Sequence, residues 1–235
     1  MIDIKEEDES EYKVELLNEE ISKELKTYKI IIVGRYGVGK TRIIHRLMKD
    51  NDDDKEYSPT ISVDTKTFKV KVNDQIIQIQ IWDTCGNDEF AQSTPNMFKN
   101  ASISIIVYAI NDQKSFDDIE IWYNLIIKHS IESLIFLIGN KSDLKEERKI
   151  SIEEGEELKE SYENNIKVFF ETSAKNDDNI DKLLKKISIL LAKKNESDEK
   201  INNIKLEKEE LQKKKKKKKC VVNLNKMTSL NKFLK

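Results

Sequence analysis

Glycine is so scarce in this chain that the few present mark where backbone must pass something closely. Six occur in 235 residues, against roughly 16 expected from the usual share of about 7%. Gly34, Gly37 and Gly39 fall in one stretch, Gly86 follows a predicted strand and Gly139 ends another, so five of the six lie at or just past a strand end. In an open α/β sheet, ligands bind at the carboxyl ends of the strands, where the missing Cβ lets backbone approach them. The sixth, Gly155, reads as a weak point inside a helix.

The strands are short apolar runs. Lys29 to Val33 is the first; Thr65 to Val72 and Gln75 to Trp82 alternate around Asn73-Asp74 as a hairpin; Ile103 to Ile110, Leu134 to Gly139 and Ile166 to Phe170 follow. Helical stretches between them, at Lys40 to Lys49, Ser115 to Lys128, Ile152 to Glu163 and Asn179 to Lys194, give the alternation of a parallel sheet covered on both faces. Ser151 with Glu154 forms a capping-box pattern. The expectation is an α/β fold with six strands, mostly parallel, and one antiparallel edge strand.

Charge is unevenly distributed. Residues 1–27 carry a net −6, with a helix-like spacing of Val14, Leu17, Ile21 and Leu25, whereas residues 193–235 carry +9. This predicts an acidic extension over 1–27, one folded domain over 28–192 and a basic tail over 193–235. The acidic middle argues against a nucleic-acid-binding core. Two cysteines build no disulfide framework, and no apolar run reaches the roughly 18 residues of a membrane span. The expected setting is therefore the cytoplasm, with any membrane contact on its cytosolic face.

Residues 34–41 read Gly34-Arg35-Tyr36-Gly37-Val38-Gly39-Lys40-Thr41, the pattern G-x-x-x-x-G-K-[ST] between a strand and a helix. Such a loop turns its N–H groups and a helix N-terminus toward an anion; Lys40 reaches terminal phosphates and the Thr41 hydroxyl suits Mg²⁺. Asn140-Lys141-Ser142-Asp143 follows the fifth predicted strand. A carboxylate there accepts from both the ring N–H and the exocyclic amine of guanine, a donor pair that adenine lacks. Thr172-Ser173-Ala174-Lys175, after the sixth, supplies a small-residue turn against the base.

With these segments, and with Tyr57-Ser58-Pro59-Thr60-Ile61, Trp82-Asp83-Thr84-Cys85-Gly86-Asn87 and Glu171 before the last turn, the chain resembles the Ras superfamily of small GTPases over roughly residues 28–192. The Gln80 to Thr84 run and the Asp112 to Phe116 stretch look more like the Rab family than its Ras or Rho relatives. The resemblance implies a small P-loop G-domain, GTP/GDP and Mg²⁺ as ligands, hydrolysis of GTP, and a switch in vesicle traffic. It also implies that Thr60 ligates Mg²⁺ and donates its N–H to the γ-phosphate, that Asp83 holds the ion through water, and that the Gly86 N–H meets the same phosphate. Exchange factor, activating protein and effectors would bind near 52–64 and 86–100, on a monomer. A Ras-like signalling GTPase and a GTP-bound recognition module with almost no turnover are the alternatives; an ATP-using P-loop kinase is disfavoured by Asn140 to Asp143.

Four departures qualify the resemblance. Asn87 stands where the family orients the attacking water with glutamine, and its amide reaches about 1.5 Å less far, which predicts slow unassisted hydrolysis because a misplacement of ~1 Å can cost about a hundredfold. Tyr36 fills a loop position that is usually small and would hinder an incoming arginine finger, a group worth about 10³ to 10⁵ in rate. Asp50 to Glu56 lacks an aromatic residue against the base, so nucleotide release is expected to be fast. Fifteen residues follow Cys220, which does not fit a prenylation box, while palmitoylation stays open. Lys213 to Lys219, seven lysines, leave two readings open, contact with anionic membrane or a solvated disordered tail; His45, His129 and Cys85 read as structural.

Overall fold

The computed structural model describes residues 9–17, 25–50, 60, 62–87, 89, 91, 94–162 and 165–200. The chain divides into two compact units, Met1–Ala192 and Lys193–Lys235. In the second, the described residues 193–200 are helical.

The first unit is built on a seven-stranded sheet. Its strands are β1 (Val14–Leu17), β2 (Thr27–Val33), β3 (Asp64–Val72), β4 (Gln75–Asp83), β5 (Ala101–Ala109), β6 (Leu134–Asn140) and β7 (Ile166–Glu171). The spatial order is β1-β3-β4-β2-β5-β6-β7. The ladders β4–β2–β5–β6–β7 are parallel, while β3 runs antiparallel to both β4 and β1. Helices α1 (Lys40–Leu47), α2 (Gln113–Asp117), α3 (Ile119–His129) and α4 (Ile152–Ser161) return the chain between strands, and residues 180–192 are helical after β7.

The strand expectation is corrected at the edge: the described residues form seven strands, and β3 lies one in from the outside. Val14–Leu17, spaced like a helix face, instead pairs with residues 72 to 69. The reason is the exposed row of N–H and C=O groups that β3 would otherwise present. Asn73, at the hairpin tip with φ 52°, clamps this pairing from both sides: its N–H donates to the Lys13 carbonyl and its Oδ1 accepts the Lys13 N–H, each at 2.9 Å. Tyr12, Val14 and Leu16, alternating with Lys13 and Glu15, pack on the core.

Alternation along the strands sends successive side chains to opposite faces and so builds two apolar layers. Ile30, Ile32, Ile103, Ile105 and Val107 face α1 and the 180–192 helix, through Ile43, Leu47, Leu183 and Ile187. Ile31, Val33, Ile106 and Tyr108 face Trp122 and Ile126 of α3. Every residue of β5 is buried, and each Ile there contributes roughly 1.5–3 kcal/mol of burial.

Helix α4 starts at the expected capping box, with Ser151 N–H donating to Glu154 Oε2 (2.7 Å) and Glu154 N–H donating to Ser151 Oγ (3.1 Å). Gly155, however, is no incidental weakness. It is the one buried residue of this helix, and a Cβ there would lie 2.3 Å from Phe169 Cζ and 2.9 Å from the Tyr108 hydroxyl. The glycine is what lets an acidic helix lie flat on β7. Gly155→Ala should therefore lower the urea-unfolding free energy by about 1 kcal/mol net, because overpacking (about 1–3 kcal/mol) outweighs the ~1 kcal/mol gain in helix propensity. Adding Phe169→Leu should recover part of that loss; a higher midpoint for Gly155→Ala alone would contradict the packing account.

Candidate functional site

The segments singled out in the sequence meet at the carboxyl ends of β2, β4, β6 and β7. After β2 the chain turns through residues 34–39 and enters α1 at Lys40. Gly39 serves as its N-cap with φ 100°, and a Cβ on it would sit 2.3 Å from Asn140 Nδ2. No other residue fits that combination of backbone angle and space.

Lys40 is 5% exposed. Its Nζ donates to the carbonyls of Gly34 (2.9 Å) and Arg35 (3.2 Å). Burial pulls its pKa down to about 8, against the opposing pull of the Asp83 carboxylate and the Cys85 side chain. Asp83, at the end of β4, is 3% exposed. Its Oδ2 accepts from Thr41 Oγ1 (2.6 Å) and Thr60 Oγ1 (3.2 Å), and the two hydroxyl oxygens are 3.0 Å apart. Its Oδ1 is buried without a partner among the described residues. Burial raises the Asp83 carboxyl above its ordinary value, opposed by the Thr41 hydrogen bond, the Lys40 charge and the Thr60 hydrogen bond.

These groups fit an ion and an anion together. Three hard oxygen donors converge with one carboxylate lone-pair site unused, the donor chemistry that Mg²⁺ takes. No cluster of three or more His, Cys, Asp or Glu suited to a metal occurs among the described residues, so further ligands for such an ion would come from phosphate and water. A buried ammonium beside loop N–H groups suits those phosphates. Gly86 closes the other side: its carbonyl accepts the Tyr36 N–H at 3.1 Å, and a Cβ on it would fall 2.5 Å from Lys40 Nζ.

The second cluster lies where β6 and β7 end. Asn140, 2% exposed, donates from Nδ2 to the Val38 carbonyl (2.8 Å) and accepts at Oδ1 from the Ala174 N–H and Thr172 Oγ1 (both 3.2 Å). It thus ties the 34–41 loop to the 172–175 turn. Asp143 Oδ1 accepts from Ser173 Oγ (2.6 Å), and its Oδ2 is 4.0 Å from Lys175 Nζ. Lys141 takes φ 67°, and the Ser142 N–H donates to the Thr172 carbonyl at 3.0 Å.

Sequence reasoning missed the residues that brace this turn. Arg46 Nε donates to the Ala174 carbonyl (3.0 Å); Arg148 makes a two-pronged pair with Glu171 (2.5 and 2.7 Å); Asn179 Nδ2 donates to the Glu171 carbonyl (2.8 Å). Nothing in their local sequence signals these contacts. The Arg35 guanidinium goes to Asp118 Oδ2 (2.8 Å). Tyr36 is 54% exposed, and Asn87 is exposed. Tyr57 to Pro59, Ile61, Lys213 to Lys219 and Cys220 lie outside the described residues.

The sequence matches the Ras family over residues 29–193. The chain belongs to that family. The Ras-related protein RabC of Dictyostelium discoideum is 36% identical to it over 156 residues, covering 65% of this chain and 78% of RabC. This Ras-family member is accordingly a Rab-like small GTPase, in a family that binds guanine nucleotide and works with regulators and effectors.

Lys40 also sets a pH signature of the fold. Its folded-state pKa of about 8 lies below its ordinary 10.5, so between those values the unfolded chain holds a proton that the folded one releases. Ligand-free stability should rise with pH across that window. Lys40→Met should reduce the rise in urea-unfolding profiles, leaving the contribution of Lys29, likewise lowered to about 8 by burial. A profile indifferent to the substitution would show that Lys40 does not carry the effect.

Proposed function

We propose that this GTPase is a GTP/GDP switch of vesicle and membrane traffic with slow unassisted hydrolysis. One observation carries the site reading: the Thr41–Thr60–Asp83 oxygen cluster and the Asp143–Ser173 pair lie on one rim, joined by Asn140 between the Val38 carbonyl and the Ala174 N–H. That arrangement suits a ligand with a phosphate chain at one end and a purine at the other. The Rab-like relation supports the role in traffic.

In this reading the N–H groups of Gly34, Arg35, Gly37, Val38 and Gly39 cradle the phosphates while that of Tyr36, expected among them, stays on the Gly86 carbonyl, and the Lys40 ammonium draws charge from the terminal phosphates. Bound Mg²⁺, held by Thr41, Thr60 and Asp83, would neutralise phosphate charge. The Gly86 N–H faces the γ-phosphate, and the Asn87 amide orients water. Asp143 accepts from guanine, while Asn140, Lys141, Ser173, Ala174 and Lys175 frame the ring. When the γ-phosphate leaves, segments near 52–64 and 86–100 lose an anchor, and partners that read them dissociate.

The recognition-module reading is favoured by Asn87 and by the exposed Tyr36 at the phosphate end. Contact of Lys213 to Lys219 with anionic lipid would place the GTPase on the cytosolic face of a membrane, in keeping with the absence, among the described residues, of a helix long and apolar enough to cross one.

Single-turnover hydrolysis separates the two readings: a slow but measurable rate that rises at least about tenfold in Asn87→Gln supports a switch limited by side-chain reach. No rise in Asn87→Gln would discard the reach argument. In the same preparations, Asp143→Asn should move nucleotide preference from guanine toward xanthine, because an amide donates where the carboxylate accepts; unchanged guanine preference would remove Asp143 from the base site.

A further inference from the structure

A loop of six residues containing three glycines has little stiffness of its own, yet residues 34–39 must hold one shape if they are to present successive N–H groups to phosphate. Besides Lys40, whose ammonium donates to the Gly34 and Arg35 carbonyls, two side chains from outside the loop grip it. Asn140 takes the far half at the Val38 carbonyl. Asp118 takes the near half: its Oδ2 lies 2.8 Å from Arg35 Nη1, with the two side chains 22% and 35% exposed.

Asp118 is a firm anchor. It sits at the joint between α2 and α3, where its N–H donates to the Lys114 carbonyl (3.0 Å) and its carbonyl accepts from Ile121 (3.1 Å) and Trp122 (3.4 Å). Trp122 is 2% exposed and belongs to the core beneath. Arg35, in turn, touches the working part of the loop through its backbone. Its carbonyl accepts the Lys40 ammonium, and its carbon would be 2.8 Å from a Cβ on Gly86. The next N–H, that of Tyr36, donates to the Gly86 carbonyl. A pull on the Arg35 guanidinium therefore reaches Lys40 and Gly86 through one residue.

We propose that Arg35 and Asp118 are positioning residues: their ion pair fixes the near half of the phosphate loop, and with it Lys40, and so governs how long the protein retains nucleotide. The inference rests on the guanine-nucleotide reading of the site and adds to it a contact that never meets the ligand. The Arg35 side chain, placed within the loop, serves the ligand by turning away from it.

The test is release of a preloaded fluorescent guanosine diphosphate analogue from the full chain at low ionic strength, chased with unlabelled nucleotide. Asp118→Asn and Arg35→Gln should each speed release by about two- to fivefold, the range of a partly exposed ion pair. Arg35→Gln combined with Asp118→Asn should be no faster than either alone, since one contact has been removed once. The exchanged pair, Arg35→Asp with Asp118→Arg, should return toward the wild-type rate. A merely structural role would instead lower the unfolding midpoint of nucleotide-free protein and leave the release rate unchanged. Wild-type release in both single variants, or additivity in the double variant, overturns the proposal while leaving the nucleotide site intact. Failure of the wild-type chain to retain any guanine nucleotide overturns both.

Discussion

A lysine ammonium almost withdrawn from water, beside a carboxylate withdrawn with it, is the constraint around which this protein is arranged. Lys40 and Asp83 sit at the ends of neighbouring structural segments, one opening α1 and the other closing β4. Neither is fully satisfied by the protein: the ammonium rests on two loop carbonyls, and one carboxylate oxygen has no partner among the described residues. Burying charges this way is unfavourable unless something polar completes them. The parallel sheet supplies the means, because it brings strand ends, a helix N-terminus and glycine-bearing turns to one rim.

Much of this was legible in the sequence because it is written in local patterns. The hairpin around Asn73-Asp74, the buried β5 and β6, the capping box at Ser151 and the glycine-bearing turns each follow from neighbours along the chain, and each is where the pattern puts it. The misses share a cause. Val14–Leu17 has only four residues, too few for period 2 to win over an accidental helical spacing, and its strand character comes from an edge that tertiary structure creates. Gly155 looked expendable because its reason is a phenylalanine fourteen positions away on β7. Arg46, Arg148 and Asp118 hold the site from elements distant in sequence, and no local signal carries a contact of that kind; Asn179 reaches back only to Glu171, from just before the 180–192 helix.

Asn140 shows how a residue singled out by a motif can carry a structural duty the motif does not announce. The motif points it at a base, whereas its side chain spends three hydrogen bonds joining the two halves of the site. Buried polar groups that satisfy one another in this way fix geometry as well as adding stability. The 34–41 loop and the 172–175 turn are therefore mechanically one object, joined through Asn140.

Strand β1 separates the family's domain from the body that actually folds here. The match begins at residue 29, but the sheet begins at Val14 and is stitched to the hairpin by Lys13 and Asn73 and to the 180–192 helix by Lys186 with Glu9. A fragment trimmed to the homologous region would keep every residue assigned to the site and lose the neighbour of Lys69 to Val72. Its newly bared backbone would be an adhesive seam, so the border recognised by ancestry is the wrong place to cut this molecule.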